Sequence, residues 1–187
     1  MQGEGYHQGK AAYFIRMGGC DVGCHWCDVK ESWDASAHPN VSISTLVSKA
    51  KEQASNFIVI TGGEPVMYNL TELCKAFSEE NFYLAMETSG AYPLSGNWHW
   101  ICLSPKKTKK PLPEYYDESN ELKVVIYNKN DLKWAEEHAA LVNKNCKLYL
   151  QAEWSKRDEI TPLLIEYIKN NPKWNLSLQS HKYINIP

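Results

Sequence analysis

Apolar residues fall along the chain in short runs, rich in β-branched and aromatic side chains, that alternate with segments of a different period. Seven runs predict strands: Ala12 to Met17, Phe57 to Thr61, Phe82 to Glu87, His99 to Leu103, Leu122 to Tyr127, Lys147 to Gln151 and Asn175 to Gln179. Leu70, Leu73, Cys74 and Phe77 keep the spacing of one helical face. Ile160, Leu163, Leu164, Tyr167 and Ile168 do the same, with Thr161 and Pro162 expected as N-cap and first helical residue. Ser44 to Ala54 and Asp131 to Val142 are helical in pattern, though less regular.

Strands alternating with helices predict a parallel sheet with helices outside. The alternation is incomplete. Residues 88–98 are too few for a helical crossover, and 104–120 hold three prolines and no apolar period, which is loop chemistry. The expected fold class is therefore α/β, an open partial (β/α) barrel with a reduced helix count. Ligands of such sheets gather at the C-terminal strand ends, so functional residues are expected just after each strand.

A length of 187 residues suits a single domain, 1–187, and 43% apolar residues suffice for its core. With 22 acidic and 20 basic residues the formal charge is −2, which argues against a dedicated nucleic-acid binder. The lysines at 106, 107, 109 and 110 then read as a solvated loop. The chain has no apolar run long enough to span a membrane, and its first ten residues lack the apolar core of a secretory signal. A reducing cytoplasm is the expected setting. Cys74, Cys102 and Cys146 lie far apart in apolar stretches and read as buried packing residues.

Cys20, Cys24 and Cys27 are different, because they form a C-x3-C-x2-C loop directly after the first predicted strand. Three thiolates this close suit a soft metal centre. A structural zinc site normally takes four ligands, and the sequence offers only His25, strained between two cysteines, as a fourth. A [4Fe–4S] cluster on three cysteines would keep one iron open to a small molecule. A second motif, Thr61-Gly-Gly-Glu-Pro65, ends the second predicted strand. Its glycines permit close backbone approach, and Glu64 supplies an acceptor for an ammonium group; alone it reads equally as an ordinary turn.

The cysteine spacing resembles the signature of the radical S-adenosylmethionine superfamily, and 61–65 its GGEP motif. Gln2-Gly-Glu-Gly5, Phe14-Ile-Arg16, Glu87-Thr-Ser-Gly90, Ser104-Pro-Lys106 and Gln179-Ser-His-Lys182 all lie at predicted strand ends or termini. Together these motifs resemble, over nearly the whole chain, the 7-carboxy-7-deazaguanine synthase family. The resemblance implies a [4Fe–4S] cluster on Cys20, Cys24 and Cys27 with S-adenosylmethionine on the open iron. The cofactor site it implies comprises Trp26, Cys27, Asp28, Gly63, Glu64, Ser89, Ser104, Pro105, Lys106 and Gln151. The implied substrate site comprises Gln2, Gly3, Glu4, Arg16, Thr61, Glu87 and His181, with the C-terminal tail closing as a clamp through the carboxylate of Pro187.

The family converts 6-carboxy-5,6,7,8-tetrahydropterin to 7-carboxy-7-deazaguanine with loss of ammonia, on the route to queuosine and other 7-deazapurines. A deoxyadenosyl radical takes hydrogen from C6, the ring contracts, and hydrogen returns to regenerate S-adenosylmethionine, so no conventional catalytic side chain is required. A pterin's amino-oxo edge presents adjacent donors that carboxylates accept, and the fork of Arg16 suits the substrate carboxylate. Implied partners are a flavodoxin-like or other one-electron reductant and a second copy in a homodimer.

Two departures carry expectations. The family's magnesium-binding threonine is replaced by Val29, which has no side-chain oxygen, so a magnesium requirement is in doubt. Family chains also carry a short stretch ahead of the QGEG motif; if such a leader is missing here, Gln2 and Glu4 are expected to be poorly anchored. Competing readings are a glycyl-radical activating enzyme, which shares the cluster and GGEP motifs, and a zinc-stabilised interaction module.

Overall fold

The computed structural model describes residues 1–186, so Pro187 and its carboxylate lie outside the described residues. Seven strands form one sheet: β1 (Tyr13–Met17), β2 (Phe57–Gly62), β3 (Tyr83–Thr88), β4 (Trp100–Leu103), β5 (Glu121–Ile126), β6 (Lys147–Ala152) and β7 (Trp174–Ser177). Every neighbouring pair is parallel and the strands follow in chain order. Among the described residues β7 does not pair with β1, so the barrel stays open, as expected from the incomplete alternation.

Helices α1 (Ile43–Lys51), α2 (Thr71–Glu79), α3 (Glu114–Glu118), α4 (Asp131–Ala139), α5 (Arg157–Asn170) and α6 (Ser180–Tyr183) complete the fold. The strands are buried on both faces, which is why they read as apolar runs. Ile58, Ile60, Leu84, Met86, Leu122 and Ile126 face the helices in one large core that includes Leu73 and Phe77 of α2 and Ile160 and Leu164 of α5. The opposite, concave face begins with a small apolar floor of Phe57, Val59 and Ala85, joined by Phe14, Tyr83 and Trp100. Further along the strands the same face turns polar, with Arg16, Thr61, Glu87, Lys123 and Gln151. Among the described residues no helix is long and apolar enough to cross a membrane.

Three expectations are corrected. Helix α5 begins at Arg157, ahead of Thr161, so Pro162 lies inside it. Burying Ile160 together with Leu164 requires that earlier start, and Glu153 caps the preceding turn through Ser155 (3.1 Å to its N–H) at the cost of one helical hydrogen bond at Pro162. The 104–120 stretch holds the short helix α3, pinned by the fully buried Tyr115, whose hydroxyl donates to the Tyr92 carbonyl (2.9 Å). The N-terminal segment is firmly held. Gln2 exchanges backbone hydrogen bonds with Gly9 and Lys10 (both 2.8 Å), and Tyr6 stacks on Trp100 at 4.5 Å.

Candidate active site

The polar end of the concave face opens into one cavity of about 580 Å³, roofed by the β1 loop and by the two chain ends. After β1, residues 18–29 carry no helix or strand. Backbone bonds from Gly19 to Ser32 (2.7 Å) and from Cys20 to Trp33 (3.2 Å) tie the loop down, and a tight turn joins Cys27 to Cys24 (3.1 Å). All three thiols are half-buried and line the cavity. Burial pushes the Cys20 and Cys24 thiols above their usual range.

Two contacts fasten the β2 turn to this loop. Gly63 donates to the Met17 carbonyl and Glu64 to the Gly19 carbonyl, both at 2.8 Å. A Cβ on Gly63 would lie 2.1 Å from the Gly19 oxygen, so only glycine permits the docking. Glu64 is 2% exposed and held by neutral donors alone: the Thr88 hydroxyl at 2.5 Å, the Ser89 N–H at 2.8 Å, the Ser89 hydroxyl and the Val66 N–H at 3.4 Å. Among the described residues no cation pairs with it.

Lys106 enters from the end of β4, over the Trp26 ring at 5.7 Å. Its ammonium donates to the Ser104 carbonyl and hydroxyl, both at 2.6 Å, and burial pulls it below the ordinary lysine value. The solvated-loop reading is thereby corrected for this residue. Lys107 pairs with Asp131 and Lys109 with Asp21.

The opposite wall is an ion-paired lattice. Lys123 of β5, 3% exposed, pairs with Glu4 and lies 3.7 Å from Glu87. The Gln2 amide donates to Glu87 (2.8 Å) and accepts from the Glu4 N–H (3.1 Å), while Thr61 donates to the other Glu87 oxygen (3.4 Å). Gln179 bridges Glu4 (2.9 Å) and Asp28 (3.2 Å), and Lys182 also pairs with Asp28. Burial alone would raise the Glu4 carboxyl, but the Lys123 charge and the hydrogen bonds outweigh it and bring it down to about 2. Burial also lowers His181, whose ring packs so closely on Gly3 that a Cβ there would lie 2.1 Å from Nδ1. Arg16, opposite Thr61 in the β1–β2 register, lines the cavity and has no carboxylate partner among the described residues.

Nearly every residue singled out from the sequence thus meets in one cavity. Pro105 is buried beside it without lining it, and Pro187 lies outside the described residues. The sequence reading overlooked Lys123, and it assigned no role to Thr88 and Gln179 although both lie within motifs it singled out. Lys123 did leave a signal: Glu121 and Lys123 are two charged residues at period-2 spacing inside an otherwise apolar strand.

The residues fit the expected iron–sulfur group. The three thiols share one cavity, yet among the described residues no three His, Cys, Asp or Glu side chains gather around a single-ion position. A cubane needs no such convergence, because each thiolate takes its own iron. His25, the only candidate for a fourth zinc ligand, packs on Tyr127 at 5.2 Å and does not line the cavity. A magnesium ion is not fitted by the turn after Cys27. The Val29 carbonyl already accepts from the Ser32 N–H (2.9 Å) and hydroxyl (2.7 Å), and Asp28 is engaged by Lys182 and Gln179.

Comparison with known proteins bears on the same residues. Residues 14–121 match the model of the Radical SAM superfamily. Over 187 residues the chain is 58% identical to a 7-carboxy-7-deazaguanine synthase of Flavobacterium psychrophilum, covering all of this chain and 89% of that one. It is 46% identical to the synthase of that name from Synechocystis, covering all of this chain and 89% of that one. A crystal structure of QueE from Escherichia coli superposes with a TM-score of 0.85 at 30% identity, covering 97% of this chain and 90% of that one. Since these likenesses span both walls of the cavity and the sheet that carries them, the chain belongs to the 7-carboxy-7-deazaguanine synthase family of the radical S-adenosylmethionine superfamily.

Proposed function

We propose that this chain converts 6-carboxy-5,6,7,8-tetrahydropterin to 7-carboxy-7-deazaguanine with release of ammonia, in 7-deazapurine biosynthesis. The observation that carries the reading is a single cavity joining the thiol loop and Glu64 on one wall to the Glu4, Glu87 and Lys123 lattice on the other.

Cys20, Cys24 and Cys27 would hold the cluster, and Glu64 would accept the ammonium of S-adenosylmethionine. When bound, these groups supply a carbon-centred radical capable of removing hydrogen from an unactivated C–H bond. The chain's own residues bind, orient and exclude water. The fork of Arg16, without a carboxylate partner among the described residues, suits the substrate carboxylate, and Gln2, Glu4 and Glu87 suit its N–H edge. Lys106 and Ser104 line the same cavity, with the Lys106 ammonium over Trp26. A flavodoxin-like carrier or another one-electron reductant belongs to the same proposal.

Anaerobic reconstitution with iron and sulfide tests it. Broad absorption near ~400 nm is expected, followed by a deazapurine chromophore once S-adenosylmethionine, reductant and carboxytetrahydropterin are added. A colourless zinc protein, or a cluster protein that leaves the pterin unchanged, overturns the proposal.

A further inference from the structure

Among the described residues, Lys123 is the one buried cation on the sheet's concave face that no motif flagged. Its side chain is 4% exposed, and it stands between two carboxylates from different elements, Glu4 of the N-terminal segment and Glu87 of β3. Gln2 also ties the two elements together, its amide donating to the Glu87 carboxylate (2.8 Å) and accepting from the Glu4 backbone N–H (3.1 Å). Other titratable groups face it as well: Cys102 from β4, Glu121 on its own strand, His181 from α6 and Lys106 after β4. Glu121 takes hydrogen bonds on one oxygen from Trp100 (3.0 Å) and Tyr6 (3.3 Å); its other oxygen has no partner, and burial raises its carboxyl. Glu4 and Glu87 are therefore the two carboxylates that share the single charge of Lys123.

We infer that Lys123 is a positioning residue for substrate recognition, an ammonium that keeps Glu4 and Glu87 ionised together so that both offer acceptors to the pterin's N–H edge. The inference rests on the functional reading above. Two carboxylates in one desolvated site without a cation share a proton, and a protonated one turns a donor toward the substrate's donors. Burying an ammonium costs several kcal/mol before it is paired. An apolar residue would fill this point of the strand at less cost, so simple packing does not explain a lysine here. Burial works against the charge of Lys123, and the two carboxylates more than restore it.

Reconstituted protein is titrated with 6-carboxypterin, an oxidised and unreactive probe followed by its own fluorescence, between about pH 6 and about pH 8. The probe's own titration cancels in the ratio of variant to wild-type Kd. For Lys123→Met the ratio is expected to be roughly ten near pH 8 and to grow about tenfold more toward pH 6, as one carboxylate takes up a proton. Lys123→Arg keeps the charge, so its ratio is expected to stay flat with pH even if binding weakens. Should Lys123→Met fail to fold, Lys123→Gln gives the same reading. A pH-independent ratio for the neutral variant, or equal slopes for the neutral and arginine variants, overturns the inference. Wild-type turnover of carboxytetrahydropterin alongside a flat ratio sinks this inference alone. Wild-type protein that neither binds nor converts the pterin sinks the functional reading together with it.

Discussion

Glu64 and Glu4 are carboxylates in the same cavity, and they are stabilised by opposite means. Glu64 is surrounded by neutral donors from Thr88 and Ser89 and forms no ion pair among the described residues. Glu4 is paired with Lys123 and held by Gln179, so it offers its lone pairs beside a cation that offsets its charge. The first arrangement suits a ligand group that brings its own positive charge, and the second suits an uncharged ligand edge that brings N–H groups. One wall therefore selects by charge and the other by the pattern of donors and acceptors, so a single cavity can hold two ligands of unlike chemistry side by side.

Removing the charge at Glu64 should break this contrast most severely. Glu64→Gln keeps one acceptor oxygen for the Ser89 N–H while its NH2 can donate to the Thr88 hydroxyl, and so should fold, but its affinity for S-adenosylmethionine should fall by about 100-fold or more, measured by calorimetry on reconstituted protein. Unchanged affinity would mean that the ammonium is held elsewhere.

The paired wall should show itself next, in acid. The Glu4 carboxyl is depressed from 4.5 to about 2, so its contribution is fully present above about pH 4.5 and is lost as the pH falls through about 2. Denaturant melts across that window should show roughly 2 kcal/mol of stability lost on acidification, and Glu4→Gln should flatten that slope. Parallel curves for the two proteins would show that the pair does not act in this way.

A smaller effect is expected at Glu87, which shares its load with Gln2 and Thr61. Glu87→Gln should raise the KM for the pterin about tenfold while leaving S-adenosylmethionine affinity in place. A change confined to S-adenosylmethionine binding would instead assign Glu87 to the other wall. The smallest effect is expected from magnesium, since neither wall offers a free oxygen cluster beside Val29. Turnover should persist after magnesium is chelated and removed, and a collapse would mean that substrate and water hold the ion.

All seven strands were legible because a parallel sheet covered on both faces must be written in apolar runs. The charge-selecting wall was legible too, because Cys20, Cys24, Cys27 and Glu64 sit in short motifs of fixed spacing. The pairing wall was only half visible. Gln2 and Glu4 belong to a recognisable motif, but Lys123 is a lone charge in the strand Glu121–Ile126, and nothing local says which residues meet it across 119 positions of chain. The start of α5 was misread for a related reason. Pro162 looks like a helix beginning, and only the tertiary demand to bury Ile160 reveals that it is not.

The contact between Gly3 and Ser180, where one carbonyl accepts from both the N–H (2.9 Å) and the hydroxyl (3.0 Å), has a consequence for biosynthesis. Chain order places the thiol loop well ahead of Gln179 and Ser180. A nascent protein therefore carries Cys20, Cys24 and Cys27 before it carries the side chains that bind Glu4 and Gly3 from the α6 side, and the vestibule above the thiols stays unroofed on that side until they are made.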